Sequence, residues 1–363
     1  MNVSPLPDHQ PRAIVVDIAD FEAGLAHFTD ALGLRIDRIS PADDPREADL
    51  SGDGLNVRLR RNSTAPASNL SLDVDALRRM LEDPVAGVSV SSSPTDRAVV
   101  IPDVDQSLVV SWVADSADFA VGRAGMGYRD LIPNRQGGRF IASHIRIDHG
   151  GDVPDYAHFH KIRFQMIYCY KGWVRVVYED QGPPFVLHAG DCVLQPPEIR
   201  HRVLENSAGL EVIEIGCPAE HDTFADHDIV LPTNRHVADR DFGGQRFVHH
   251  VAQDATWVPW RSEGFECRHI GIAEATDGIA GVRVVRSSGH QATAPLASHT
   301  AEFVMFFVLA GYASIDVGSD TLDLTAADSI VIPAGIDHAI TIDAATELLE
   351  VTLPADVILS SSA

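Results

Sequence analysis

Residues 158–172 of this 363-residue chain read HFHKIRFQMIYCYKG, and residues 190–206 read GDCVLQPPEIRHRVLEN. His158 and His160 are two positions apart, so both side chains project from the same face of an extended strand. Gln165 follows in the same stretch, and His201 lies in the second one. Neutral imidazoles and an oxygen donor suit Fe(II), Mn(II), Ni(II) or Zn(II). The pattern predicts a metal centre built from these four side chains.

The chain around these residues is dense in short β-type runs. Turns that are rich in glycine, proline and aspartate separate the runs, and many short strands with regular turns are typical of a sandwich or a small barrel. The predicted strands are 140–147, 163–170, 174–178, 185–187, 191–194, 201–204 and 211–215. We therefore expect the metal centre to lie inside a β-barrel formed by residues 139–217.

The two quoted stretches resemble the two sequence motifs of the cupin superfamily. The first motif is a glycine, His-x-His, an acidic residue and a second glycine, and it is matched by Gly151 or Gly150, His158, His160 and Gly172. Gln165 stands where glutamate is usual. The second motif is matched by Gly190, Pro196, His201 and Asn206, with Glu198 in place of its inner glycine. The resemblance implies a double-stranded β-helix, or jelly-roll, barrel.

The same pattern returns in weaker form near the C-terminus. Gly311 repeats Gly172, and residues 328–338 repeat the second motif as DSIVIPAGIDH. Counting back from Gly311 puts Ala297, His299 and Val304 at the positions of His158, His160 and Gln165, and only His299 and His338 survive as histidines. Glu302 is a candidate for a displaced carboxylate, because it would face the same way as Val304 on a strand. We expect a connecting segment over 218–264 and a second, metal-free barrel over 265–363.

The first third of the chain has a different pattern. Strand and helix signals follow one another as two successive βαβββ units, and the phrase FTDALGL at 28–34 follows the first helix. This region resembles the vicinal oxygen chelate superfamily, the fold of glyoxalases and extradiol dioxygenases. Its first strand carries no imidazole, so we expect residues 1–115 to be a structural or dimerising module, followed by a linker over 116–138.

The complete expectation is a mainly β protein. Two cupin-type barrels, forming a bicupin, are preceded by an α+β domain of paired βαβββ units.

The net charge of −24 argues against nucleic acid as a partner, because phosphate binding needs a basic surface. No apolar run approaches the roughly 18 residues of a membrane span, and Met1–Arg12 does not read as a signal peptide. Four cysteines without a CxxC pair indicate reduced thiols. We expect a cytoplasmic homo-oligomer, such as a dimer, that takes a small-molecule substrate.

The resemblance implies a reaction as well as a fold. Three-histidine cupins often bind a substrate in bidentate fashion and activate O2, so the main hypothesis is an Fe(II) dioxygenase. Arg163 and Arg146, on or beside the ligand strands, would orient an acidic substrate, although a salt bridge to Glu214 or Glu211 is an equal alternative. Glutamine in place of glutamate predicts a more cationic site that lacks a base.

Two other functions remain open from the sequence. Cupins include isomerases, lyases and decarboxylases, so a redox-neutral enzyme that uses one divalent metal in the first barrel is one alternative. A non-catalytic bicupin that binds a small molecule is the other. Two histidines of the connecting segment, His221 and His227, are expected at the surface.

Overall fold

The computed structural model describes residues 13–82, 88–91, 97–115, 119–121 and 126–361. The N-terminal stretch Met1–Arg12 lies outside the described residues. Two compact units divide the chain. The first comprises Met1–Val99, His158–Lys161 and Glu220–Asp228, and the second comprises Val100–Ala157, Ile162–Ala219 and Ile229–Ala363. None of the described helices has the length and apolar character that crossing a membrane requires.

The N-terminal part of the first unit is a small α+β sheet. Its elements are β1 (Ala13–Ile18), α1 (Phe21–Ala26), a π-helical turn (His27–Ala31), β2 (Arg35–Ser40), β3 (Glu47–Gly52), β4 (Leu55–Arg61), a 3-10 turn (Ala67–Ser71), α2 (Val74–Met80) and β5 (Val88–Ser91). Asp20 begins α1 by accepting a hydrogen bond from the Ala23 amide at 3.0 Å, as an N-cap aspartate does. β1 runs parallel to β4 and antiparallel to β5. Phe28 packs fully buried against this sheet.

The next strands along the chain include those of the first barrel. They are β6 (Val109–Ser111), β7 (Ala120–Val121), β8 (Gly127–Asp130), β9 (Ile141–Ile147), β10 (Gly151–Asp152), β11 (His158–Lys161), β12 (Phe164–Lys171), β13 (Trp173–Tyr178), β14 (Phe185–His188), β15 (Cys192–Leu194), β16 (His201–Asn206), β17 (Leu210–Cys217), β18 (Asp222–Ala225) and β19 (Val248–His250). One sheet has the order β19-β15-β12-β17-β9-β8-β7, and β14, β13 and β16 are neighbours in the other. Short 3-10 turns cover Val113–Asp115 and Ala252–Asp254.

The second barrel repeats this arrangement. Its elements are β20 (Val258–Pro259), β21 (Phe265–His269), α3 (Ile272–Ala275), β22 (Gly281–Ser287), β23 (Ala292–His299), β24 (Phe303–Ala310), β25 (Tyr312–Val317), β26 (Asp320–Thr325), β27 (Ser329–Val331), β28 (His338–Ile342), β29 (Glu347–Leu353) and β30 (Leu359–Ser361). The sheets have the orders β20-β21-β22-β29-β24-β27-β6 and β26-β25-β28-β23-β30. The mainly β architecture with two cupin-type barrels is therefore confirmed.

The two barrels share one apolar core in addition to their own interiors. Alternate residues of β12 and β24, such as Met166 and Met305, face outward from each barrel into this common cluster. Phe140 and Phe303 stack in it with ring centroids 4.4 Å apart. The four cysteines are free and buried, as the sequence predicts.

A glycine at the same place in each barrel supports the internal repeat. Gly172, between β12 and β13, has φ +74°, and Gly311, between β24 and β25, has φ +79°. A Cβ at these positions would collide with the Ser207 Oγ and the Thr346 Oγ1 respectively. Each of these oxygens accepts a hydrogen bond from the amide that follows the glycine, at 3.0 and 2.9 Å. The turn therefore excludes a side chain on both conformational and steric grounds.

The second βαβββ unit that the sequence pattern predicts does not form. Residues 70–71 end a 3-10 turn instead of opening a strand, and Asp73 caps α2 by accepting from the Ala76 amide. Residues 98–101 are not a strand. The last predicted strand is β6, which pairs with β27 of the second barrel. A free strand edge in the barrel therefore takes the segment that the sequence pattern assigns to the N-terminal module.

Two segments that were expected to be connections contain strands. Part of the expected linker over 116–138 is β8, which pairs with β9 at the edge of the first barrel's sheet. The expected connecting segment over 218–264 contributes β18 and β19. β18 pairs with both β11 and β2, so the sheet of the first unit has the order β11-β18-β2-β3-β4-β1-β5. The strand with the His-x-His pair is therefore flanked by this segment.

Candidate metal centre

Three of the predicted ligands come together. Within the described part of the chain, one group of His, Cys, Asp or Glu side chains is arranged to hold a metal ion, and it consists of His158, His160 and His201. Each offers a ring nitrogen, and these nitrogens lie within 4.8 Å of one another. His158 and His201 are buried, and His160 is partly buried. Three imidazoles at this separation are typical of a transition-metal site.

The orientation of His160 depends on β18. His160 lies directly opposite Thr223 in the antiparallel register of β11 and β18. Its Nδ1 is 2.9 Å from the Thr223 Oγ1, and in the tautomer with the proton on Nδ1 the ring donates to this hydroxyl and carries its lone pair on Nε2. The ring of His221, which was expected at the surface, is buried with its centroid 5.3 Å from that of His160.

The orientation of His201 is set by its own turn. The His201 Nδ1 is 3.0 Å from the carbonyl oxygen of Ile199, which can only accept, so Nδ1 carries the proton and Nε2 offers a lone pair. Glu198, where the family motif has glycine, adopts φ +61° in this turn. A non-glycine residue in that region costs on the order of 1–2 kcal/mol. The turn therefore tolerates local strain beside a candidate ligand.

Gln165 has a buried side-chain oxygen for which the described residues provide no hydrogen bond. The side chain is 1% exposed, and its Nε2 donates to the Glu214 Oε1 at 2.6 Å. Its Oε1 is buried and has no hydrogen-bond partner within the described part of the chain. A buried carbonyl oxygen without a partner is costly unless a cation or a donor meets it. Three imidazoles with an amide oxygen form a donor set that suits a divalent transition metal, and Gln165 stays the predicted fourth donor.

The interior of the first barrel is aromatic beside His201. Tyr178 lies opposite His201 in the register of β13 and β16, and the two rings stack with centroids 5.4 Å apart. Phe185 and Phe247 pack on Tyr178 at 5.9 and 4.6 Å. The Tyr178 hydroxyl accepts from the Gln195 Nε2 at 3.0 Å, and burial raises its pKa. The hydroxyl therefore stays neutral at physiological pH.

The two arginines proposed to orient a substrate already have partners in the chain. Arg163 donates to Glu302 at 2.9 Å, and Arg139 contacts the same carboxylate. Burial alone would raise the pKa of Glu302, but the two guanidinium hydrogen bonds outweigh it and lower that pKa. Arg146 pairs with Asp148 at 3.0 Å at the surface. Within the described residues the carboxylate partners of the two arginines are thus Glu302 and Asp148, in place of Glu214 or Glu211.

The second barrel retains two histidines in a different state. The rings of His299 and His338 are 5.8 Å apart. His299 uses both nitrogens on the backbone, with Nε2 at 3.0 Å from the Ile332 oxygen and Nδ1 accepting from the Ala301 amide at 3.2 Å. Glu302 contacts the arginines instead. These contacts occupy both ring nitrogens of His299.

Two polar residues of the site were missed by sequence reasoning. Thr223 lies in the segment that the sequence predicts to be a connection. The sequence indicates Glu214 only as an alternative partner for an arginine. The alternation of β17 offered a signal for Glu214, because its neighbours Ile213 and Ile215 face the shared core and place it on the opposite, interior face. The sequence carries no comparable signal for Thr223.

Replacing Thr223 with valine is expected to weaken divalent-metal binding by about 10-fold, because residues that orient a histidine ligand affect affinity on this scale. Valine keeps the shape and the β propensity of the strand while removing the acceptor for His160 Nδ1. Isothermal titration with Mn(II) measures the effect. Thr341→Val, which removes an exposed threonine pair in the second barrel, is the matched control. Equal affinity in both variants would contradict this role for Thr223.

Comparisons with known proteins agree with the barrel fold. Residues 284–352, most of the second barrel, match the family model described as Cupin domain. No curated protein sequence matches the chain. A structure of oxalate decarboxylase from Bacillus subtilis at pH 4.6 matches with 14% identity and a TM-score of 0.50 over 74% of this chain and 80% of that one.

A second solved structure of the Bacillus subtilis oxalate decarboxylase, from work on the EPR parameters of its Mn(II) centres, matches with 15% identity and a TM-score of 0.51. It covers 74% of this chain and 82% of that one. At this identity the likeness shows the fold alone. The two barrels are cupin-type. The resemblance of the N-terminal module to vicinal oxygen chelate proteins has no support among these matches.

Proposed function

We propose that this chain, with its two cupin-type barrels, is a metal-dependent enzyme that performs a redox-neutral reaction, such as decarboxylation, on a small carboxylate. The observation that carries the proposal is the group of three imidazole nitrogens within 4.8 Å of one another. The unpartnered amide oxygen of Gln165 supports it. A binding protein without a metal would have no need for such a donor set.

Each candidate ligand would contribute a neutral atom. His158, His160 and His201 would hold the ion through ring nitrogens, and Gln165 through its Oε1. A divalent ion in this set supplies Lewis-acid polarisation of a bound oxygen atom. Because the four donors are uncharged, no directly bound ligand would neutralise the ion, and the site would favour an anionic substrate. The carboxylate of the substrate would then bind without help from Arg163 or Arg146.

The surrounding side chains would control water and orientation. The Tyr178, Phe185 and Phe247 rings form an apolar wall beside His201, and such a wall strengthens electrostatic interactions by excluding water. The neutral Tyr178 hydroxyl belongs to this wall and accepts a hydrogen bond from Gln195. We propose that it helps to keep the cavity dry and does not act as a base.

The redox-neutral reaction replaces the iron dioxygenase as the preferred hypothesis. The two solved structures described above are oxalate decarboxylases, and one of them comes from work on Mn(II) centres. Their low identity makes this support for the proposal only. Mn(II) is accordingly the first metal to test, ahead of Fe(II), Ni(II) and Zn(II).

Protein loaded with Mn(II) is expected to release CO2 from at least one member of a panel of oxalate and small keto and hydroxy acids. Oxygen uptake is expected to stay well below one equivalent per turnover, because the reaction consumes no oxidant. Parallel CO2 and oxygen-electrode measurements check this. Metal-stripped protein, reloaded with Mn(II) or left empty, is the control. Stoichiometric oxygen uptake would restore the dioxygenase hypothesis, and metal binding without turnover would favour a binding protein.

A further inference from the structure

Glu214 occupies the interior face of β17, where it meets the amide of Gln165. The distance from the Gln165 Nε2 to the Glu214 Oε1 is 2.6 Å, a short hydrogen bond of the kind that an ionised acceptor favours. An ionised carboxylate can only accept, so it requires the NH2 end of the amide. The carbonyl oxygen must then point the other way. This contact alone decides which end of Gln165 is available to a ligand.

We propose that Glu214 is a positioning residue that holds the Gln165 amide with its oxygen toward the metal and its nitrogen away from it. The inference rests on the proposed metal centre. Without the carboxylate, both ends of the amide are sterically equivalent, and the NH2 end would place partial positive charge toward the cation. Glu214 makes that orientation unfavourable, because two acceptor oxygens would then face each other at hydrogen-bond distance.

The same contact changes the electrostatics expected from the sequence. The replacement of glutamate by glutamine predicts a more cationic site, yet the negative charge is not lost. It lies one side chain further out, on Glu214, and reaches the ion through the polarised amide. A carboxylate behind a ligand raises the basicity of that ligand and fixes its direction. Gln165 and Glu214 together therefore replace the single glutamate that is usual at this position.

The second barrel provides an internal contrast. Phe306 lies opposite Glu350 in the register of β24 and β29, as Ile167 lies opposite Glu214 in β12 and β17. Val304 takes the place of Gln165 there. Glu350 is completely buried and pairs with Arg261 at 2.5 Å and with Arg283 at 3.3 Å. A carboxylate at this strand position is thus neutralised by guanidinium groups where no amide is present, and it serves no candidate metal site.

Glu214→Gln is expected to lower Mn(II) affinity by about 10- to 100-fold, the range seen when a group that supports a ligand is lost. The substitution keeps the size of the side chain but removes the requirement for an NH2 partner. Isothermal titration measures the affinity. The EPR spectrum of bound Mn(II) is expected to change as well, because the fourth donor is no longer held in one orientation. Glu350→Gln is the matched control and should leave both measurements unchanged.

The exchange variant Glu214→Gln/Gln165→Glu completes the test. It reverses the pair, so an amide on β17 can donate to a carboxylate on β12, and affinity should return to within about threefold of the wild type, a difference of less than 1 kcal/mol. Thermal melting of each variant without metal separates loss of folding from loss of orientation. Wild-type affinity and spectrum in Glu214→Gln alone, or no recovery in a folded exchange variant, would overturn the inference. If wild-type protein itself binds no metal, the proposed function falls first and this inference falls with it.

Discussion

His201→Ala is expected to abolish stoichiometric binding of divalent metal and, with it, any metal-dependent turnover. The substitution leaves two imidazoles and one amide oxygen, a set too small and too weakly donating to retain an ion. We expect a loss of affinity of at least about 100-fold, the upper end of what removal of a merely supporting residue costs. Metal analysis after gel filtration and titration with Mn(II) both measure it.

The second barrel supplies the control for this experiment. His338 occupies the equivalent turn, and its Nδ1 is 3.1 Å from the Ile336 oxygen, as the Nδ1 of His201 is 3.0 Å from the Ile199 oxygen. Both ring nitrogens of its neighbour His299 form hydrogen bonds with backbone atoms. His338→Ala should therefore retain one metal per chain. If His338→Ala lost the metal and His201→Ala kept it, the metal site would lie in the second barrel, and the proposed site in the first barrel would be contradicted.

Arg38→Ala is expected to destabilise the first unit by about 3–5 kcal/mol, the usual cost of removing one partner from a buried ion pair. Arg38 is 1% exposed and donates to Asp49 at 2.5 Å and to Asp222 at 2.8 Å, and it also contacts Glu47. Burial alone would lower the pKa of Arg38, but the facing carboxylates outweigh it and raise that pKa. Without the guanidinium, several carboxylates remain buried with insufficient positive charge.

Denaturant unfolding followed by circular dichroism measures this loss of stability. Arg78→Ala is the matched control in the same unit, because the ion pairs of Arg78 with Asp53 and Asp75 are exposed, and such pairs contribute about 0–1 kcal/mol. Because Asp222 opens β18, the same substitution should also loosen Thr223 against His160. An Arg38→Ala protein that unfolds within 1 kcal/mol of the Arg78→Ala protein would show that the buried cluster stabilises the unit little.

The sequence predicts the candidate ligands well because their signals are local. His158 and His160 share a face as a consequence of the two-residue period of a strand, and His201 follows a short turn whose proline and glycine positions are recognisable. The repeat at Gly311 and His338 is equally local. The same locality explains the false second βαβββ unit, because β6 has a good strand pattern whether its partner lies in the N-terminal module or in the second barrel.

The sequence alone therefore predicts the barrel fold and the four candidate ligands, since their signals are patterns within single strands and turns. The partners of these side chains follow from the pairing of distant strands. Thr223 is 63 residues from His160, and Glu214 is 49 residues from Gln165. Glu302 is 139 residues from the Arg163 that it neutralises. No sequence period spans such separations, because the pairing of distant strands, and not the chain itself, brings these side chains within hydrogen-bond distance.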